Sequence, residues 1–86
     1  MYWLSFCDPD RPAGPEFLGV CIIAVDDFLS AVRYAHCLNC NPGGEVFGEL
    51  LDDGVEVPRQ YVHRLLTDGQ VIADLRQRIG VEQDVP

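Results

Sequence analysis

Residues 25–45, VDDFLSAVRYAHCLNCNPGGE, decide how the rest of the chain is read. Phe28, Ala31, Val32, Ala35 and Leu38 recur at helical spacing, so one face of a helix is apolar. Asp26 or Asp27 caps its start and complements the positive end of the helix dipole. Pro42 cannot continue a helix, and Gly43 or Gly44 suits the left-handed turn that should follow. The stretch therefore predicts one long helix whose apolar stripe lies on a sheet built by its neighbours.

Upstream, Tyr2–Cys7 (YWLSFC) is short and aromatic-rich, which favours a strand. Alternation places Tyr2, Leu4 and Phe6 on one face and Trp3, Ser5 and Cys7 on the other. Residues 8–16, DPDRPAGPE, combine three prolines with a glycine and read as a loop. Phe17–Val25 (FLGVCIIAV) is almost continuously apolar, as in a central strand buried on both faces. Gly19 within it permits a bulge or a close backbone approach. The two strands are expected to pair antiparallel across the loop.

Downstream, Glu45–Leu51 (EVFGELL) reads as a third strand, and Asp52-Asp53-Gly54 as a turn into extended backbone at Val55–Val57. Pro58 opens a short helix over RQYVHRLL, because a first-turn residue needs no N–H. Thr67-Asp68-Gly69-Gln70 has a capping-box pattern and starts a second short helix. Val71, Ile72, Leu75 and Ile79 form its apolar stripe, and Gly80 ends it. The expected fold is a single α+β domain over residues 1–80. It has a three-stranded, mainly antiparallel sheet, one long helix on a face and two short C-terminal helices. Residues 81–86 are expected to be a flexible tail.

Charge narrows the function. The chain has 86 residues, fourteen of them acidic, against six arginines, for a formal charge of −8. Nonspecific nucleic-acid binding needs a basic face, and so does attraction to an anionic membrane. Neither is expected, whereas a partner protein with a basic surface fits. The start, MYWLSFCDPD, lacks the basic region of a secretory signal, and no apolar run approaches a membrane span. Four cysteines in such a chain suggest a reducing cytoplasm and free thiols or a metal.

Cys37-Leu38-Asn39-Cys40 is the motif closest to chemistry. Redox pairs of this spacing sit at helix N-termini, where the dipole favours thiolate, and this one sits at a C-terminus. Zinc is the alternative cofactor, held by Cys37 and Cys40 with further ligands drawn from Cys7, Cys21, His36 or His63. Two Cys pairs would be the full signature, and the chain has one. A nucleophile elbow, a phosphate loop and an HExxH are all missing, so no catalytic or cofactor-binding residue is assigned. A Cys–His enzyme whose partners meet only in space stays open as a further alternative. The acidic residues Asp8, Asp10, Glu45, Glu49, Asp52 and Asp53 are the candidate partner-binding set. Gathered on one face, they would imitate DNA phosphates toward a basic groove. Tyr2, Trp3 and Phe17 are expected to be partly exposed, and as one patch they would support a homodimer.

The segments SFCDPDRPAG, FLGVCIIAVDDFLSAV and NPGGEV, spanning roughly residues 3–66, resemble small bacterial and phage proteins of no assigned activity. The resemblance carries no catalytic residue with it. It implies a phage or mobile-element accessory protein that binds a host protein, such as an inhibitor of a nucleic-acid-binding defence enzyme.

Overall fold

β1 (Tyr2–Asp8) and β2 (Glu16–Ile23) pair antiparallel, and the rest of the molecule is arranged around them. The computed structural model describes residues 1–8 and 16–80. Most of the expected loop and the whole expected tail, residues 81–86, lie outside the described residues. In β1 the alternation sends Leu4 and Phe6 to one face and Trp3, Ser5 and Cys7 to the other, all of them buried. In β2, Cys21 and Ile23 join Leu4 and Phe6, while Val20 and Ile22 join Trp3.

The pairing slips by one residue between Phe6 and Cys7. Phe6 sits opposite Gly19 and Cys7 opposite Phe17, which leaves Leu18 as the extra residue of a bulge. Gly19 has φ +142°, and a Cβ there would lie 2.8 Å from the Leu66 carbonyl oxygen. The glycine thus serves both roles anticipated for it.

Helix α1 (Phe28–Cys37) covers the Leu4–Phe6 face with Ala31 and Ala35 fully buried. Its cap is Asp27, whose carboxylate accepts from Ser30 N–H and the Ser30 hydroxyl, both at 2.9 Å. The helix stops before the proline. Asn39 adopts φ +59°, the Asn39 N–H donates to the His36 carbonyl at 3.1 Å, and the Cys40 N–H donates to the Ala35 carbonyl at 2.8 Å. This is a Schellman ending with asparagine in the left-handed position. Leu38, expected to face the sheet, is the C-cap and is 40% exposed. Gly43 and Gly44 are left-handed as well, but in the loop beyond.

β3 (Glu45–Leu50) pairs antiparallel with the other side of β1. The chain then runs under the Trp3 face, where Val55, Val57 and Tyr61 pack against the core. It makes a three-residue 3₁₀ turn at Arg59–Tyr61 and enters a two-residue strand, β4 (Leu65–Leu66), beside β2. Among the described residues the sheet therefore has four strands in the order β3-β1-β2-β4, not three. The short helix expected over RQYVHRLL is replaced by this turn and strand. His63 takes φ +61°, which breaks any helix, and its N–H donates to the Ile22 carbonyl at 2.8 Å. As strand neighbours, Leu65 and Leu66 reach opposite cores, which successive helix positions cannot do.

Helix α2 (Gly69–Ile79) is capped by Asp68 and closed by Gly80 at φ +73°. Ile72 and Leu75 bury against Trp3, Val20, Ile22 and Leu66. The two helices thus cover opposite faces of one sheet. Trp3 is 2% exposed under α2, which overturns its expected exposure. Tyr2 packs toward the α1 side while Phe17 lies on the α2 side, so the three aromatics share no patch. Among the described residues no helix is long and apolar enough to cross a membrane.

Candidate functional site

Of the partner-binding set, Glu45 and Glu49 lie on β3, Asp52 and Asp53 in the turn after it, and Asp8 at the end of β1. The Leu51 N–H donates to the Met1 carbonyl at 2.9 Å, which sets the phase of the β1–β3 ladder. In an antiparallel pair, hydrogen-bonded and non-hydrogen-bonded positions alternate. Glu49, Phe47 and Glu45 therefore face Trp3, Ser5 and Cys7 with their backbone groups. Val46, Gly48 and Leu50 turn theirs away from β1, toward an edge where, among the described residues, the sheet has no further strand.

Side chains follow the same alternation. Val46 packs with the α1-side core, and the Phe28 ring lies over Gly48. Glu45, Phe47 and Glu49 stand on the α2 side. Glu45, Asp52 and Asp53 are exposed, and Glu49 and Asp8 are half-buried. Asp10 lies outside the described residues. Phe47 is 36% and Leu50 52% exposed, so apolar surface is interleaved with the acids along the strand.

Behind this strand, on the α2 side, Arg76 sits in an aromatic setting. The Arg76 guanidinium lies 5.7 Å from the Trp3 ring centroid and 5.6 Å from that of Phe17, within cation–π range. The Trp3 indole N–H donates to Ser5 Oγ at 3.0 Å, so the one polar group of that buried ring is satisfied. Burial raises the pKa of the Cys7 thiol, the Glu45 charge raises it further, and Arg76 partly opposes them.

The four thiols divide cleanly. Cys37 is exposed at the last position of α1, while Cys40 is buried. The Schellman turn explains the split, because it swings Cys40 back under the sheet. The Cys40 thiol donates toward the carbonyls of His63 at 3.3 Å and Leu38 at 3.6 Å. It also meets Cys21 of β2, whose thiol is pushed up to about 12, by burial first and then by Cys40. Cys40 is thus drawn to Cys21, not to Cys37, the partner in its own motif. Among the described residues no group of three or more His, Cys, Asp or Glu side chains is gathered to hold a metal ion.

His63 meets Cys40 through its main-chain oxygen and not through its ring. The ring packs against Tyr34 at 5.1 Å between centroids, and its Nε2 accepts the Ala24 N–H at 3.1 Å. The imidazole therefore fastens the end of β2 to α1. An open groove of about 460 Å³ lies between Tyr61 and the Val71–Arg78 side of α2.

No family model matches the chain, and neither the curated proteins nor the solved structures contain a match.

Proposed function

We propose that this chain is a small non-catalytic interaction module whose acidic surface meets a basic surface of a partner protein. The observation that carries the reading is the exposed carboxylates at the two ends of an edge strand, Glu45 at its start and Asp52 and Asp53 in the turn after it. A net charge of −8 steers a cationic partner toward the molecule and repels nucleic acid. The resemblance to small phage and bacterial proteins adds a setting. The partner would be a host protein with a basic groove, such as a nucleic-acid-binding defence enzyme.

The test is capture of host proteins by the immobilised chain, compared with the variant Glu45→Gln/Asp52→Asn/Asp53→Asn. Wild type should retain basic proteins that elute at roughly 0.5 M salt, where exposed charges are screened. The variant should lose them. Equal capture by both chains would refute the assignment of the acidic edge.

A further inference from the structure

We propose that β3 is a docking edge, on which an extended, basic segment of a partner protein adds as a fifth strand. This rests on the interaction-module reading and names how the partner is held.

The two edges of the sheet are not alike. β4 is two residues long and leads directly toward α2, so it presents almost nothing to pair with. β3 pairs with β1 over six successive positions without a register shift. It contains no proline, no lysine and no bulge, the usual devices that spoil an edge. At Val46, Gly48 and Leu50 its N–H and C=O groups point outward at the repeat of a strand. An incoming strand in register would receive a regular ladder there.

Charge selects the occupant. A second copy is disfavoured, since antiparallel self-pairing about Gly48 brings Glu45 and Glu49 of both copies onto one face. Each copy also carries −8. A foreign segment with Lys or Arg at alternate positions meets Glu45 on the α2 side and Asp52 and Asp53 at the strand's end. Its intervening apolar side chains then lie beside Val46 and the exposed Leu50 on the α1 side.

The probe is a dye-labelled peptide of about ten residues alternating arginine and valine, long enough to span the strand. Its control is the same peptide N-methylated at the valines, whose N–H groups face β3 when the arginines lie on the acidic side; it keeps the charge and cannot make the ladder in that pose. Fluorescence anisotropy should show the plain peptide binding and the N-methylated one binding about tenfold or more weakly. Leu50→Pro removes one outward N–H and none of the β1 ladder, so it should weaken the plain peptide by about the same factor. On binding, the amides of Val46, Gly48 and Leu50 should become protected from hydrogen exchange.

Equal binding of both peptides, or no binding of either, overturns strand addition. If both peptides bind equally but lose affinity in the Glu45→Gln/Asp52→Asn/Asp53→Asn variant, the charge reading survives and strand addition falls. If that variant binds the plain peptide as wild type does, the acidic-surface reading fails. A concentration-dependent dimer abolished by Leu50→Pro would mean that a second copy occupies the edge, and would also overturn the proposal.

Discussion

Gly48→Ala tests the packing that positions β3. Gly48 is not in a left-handed conformation, so alanine meets no backbone penalty there. Its Cβ would lie 2.5 Å from Phe28 Cε1 and closer still to Cδ1, while Leu4 Cδ2 sits at a tolerable 3.4 Å. The clash is thus almost wholly with one ring. That ring has little freedom, because it packs on Tyr2 at 6.0 Å between centroids and belongs to the first residue of α1. Overpacking of this kind costs about 1–3 kcal/mol, and removing a glycine from a strand returns about 0.5–1 kcal/mol. The net expectation is a loss of about 1–2 kcal/mol from a domain whose total stability is on the order of 5–10 kcal/mol.

The decisive measurement repeats the substitution in a Phe28→Ala background. With the ring gone the clash is gone, and only the gain from replacing glycine remains. Gly48→Ala should then stabilise by roughly 0.5 kcal/mol, a change of sign between the two backgrounds. Urea unfolding followed by Trp3 fluorescence measures both. Trp3 is the single tryptophan and lies under α2, on the opposite face from Phe28, so neither substitution touches the probe. An equal cost with and without the Phe28 ring would refute this packing of α1 on β3.

The thiols offer a second check: on the native protein a maleimide should modify Cys37 alone, with Cys7, Cys21 and Cys40 reacting only after denaturation. Modification of Cys40 at the rate of Cys37 would contradict the inward turn at Asn39. The raised pKa of Cys21 makes stability depend on alkaline pH. Below the ordinary value of 9.0 the thiol is protonated in both states and its contribution is intact; toward about 12 only the unfolded chain ionises. Stability should therefore fall as pH rises through that window, and Cys21→Ala should flatten the fall. At the other end, the Ser30 N–H and hydroxyl hold the Asp27 carboxyl below its usual value. The cap is at full strength above the ordinary carboxylate range and is lost as pH falls through the depressed value. Asp27→Ala should lower the melting temperature near neutrality and remove that part of the acid dependence.

Much of the fold could be read because apolar periodicity is local. The alternation in YWLSFC and the unbroken run in FLGVCIIAV identified β1, β2 and the faces they bury. That unbroken run also required cover on both faces, and Val71, Ile72, Leu75 and Ile79 form the stripe that supplies the second cover. β4 was hidden because two residues cannot display a period, and because Leu65 and Leu66 lie in a stretch that passes for a helix. The true end of α1 was hidden because asparagine enters the left-handed region less often than glycine, and two glycines follow nearby. The same turn decides where Cys40 goes. Spacing in the chain suggested a Cys37–Cys40 pair, whereas a contact across the core joins Cys40 to Cys21.

Which strand lies at an edge is a property of strand order, and no segment carries it alone. β1 is flanked by β2 and β3, so one side of β3 is left over. The segment between β3 and β4 must cross from one edge of the sheet to the other, roughly 14 Å at the spacing of neighbouring strands. It spends that length packing Val55, Val57 and Tyr61 on the α2 side. β4 then blunts the β2 edge, and α2 closes the face. Among the described residues no further strand is left for β3. Charge is what remains to guard it, and charge discriminates by sign. Carboxylates that would repel a second copy of this acidic chain would give no protection against a cationic strand. On the proposed docking, the charge that disfavours a second copy would be the charge that selects a cationic partner strand.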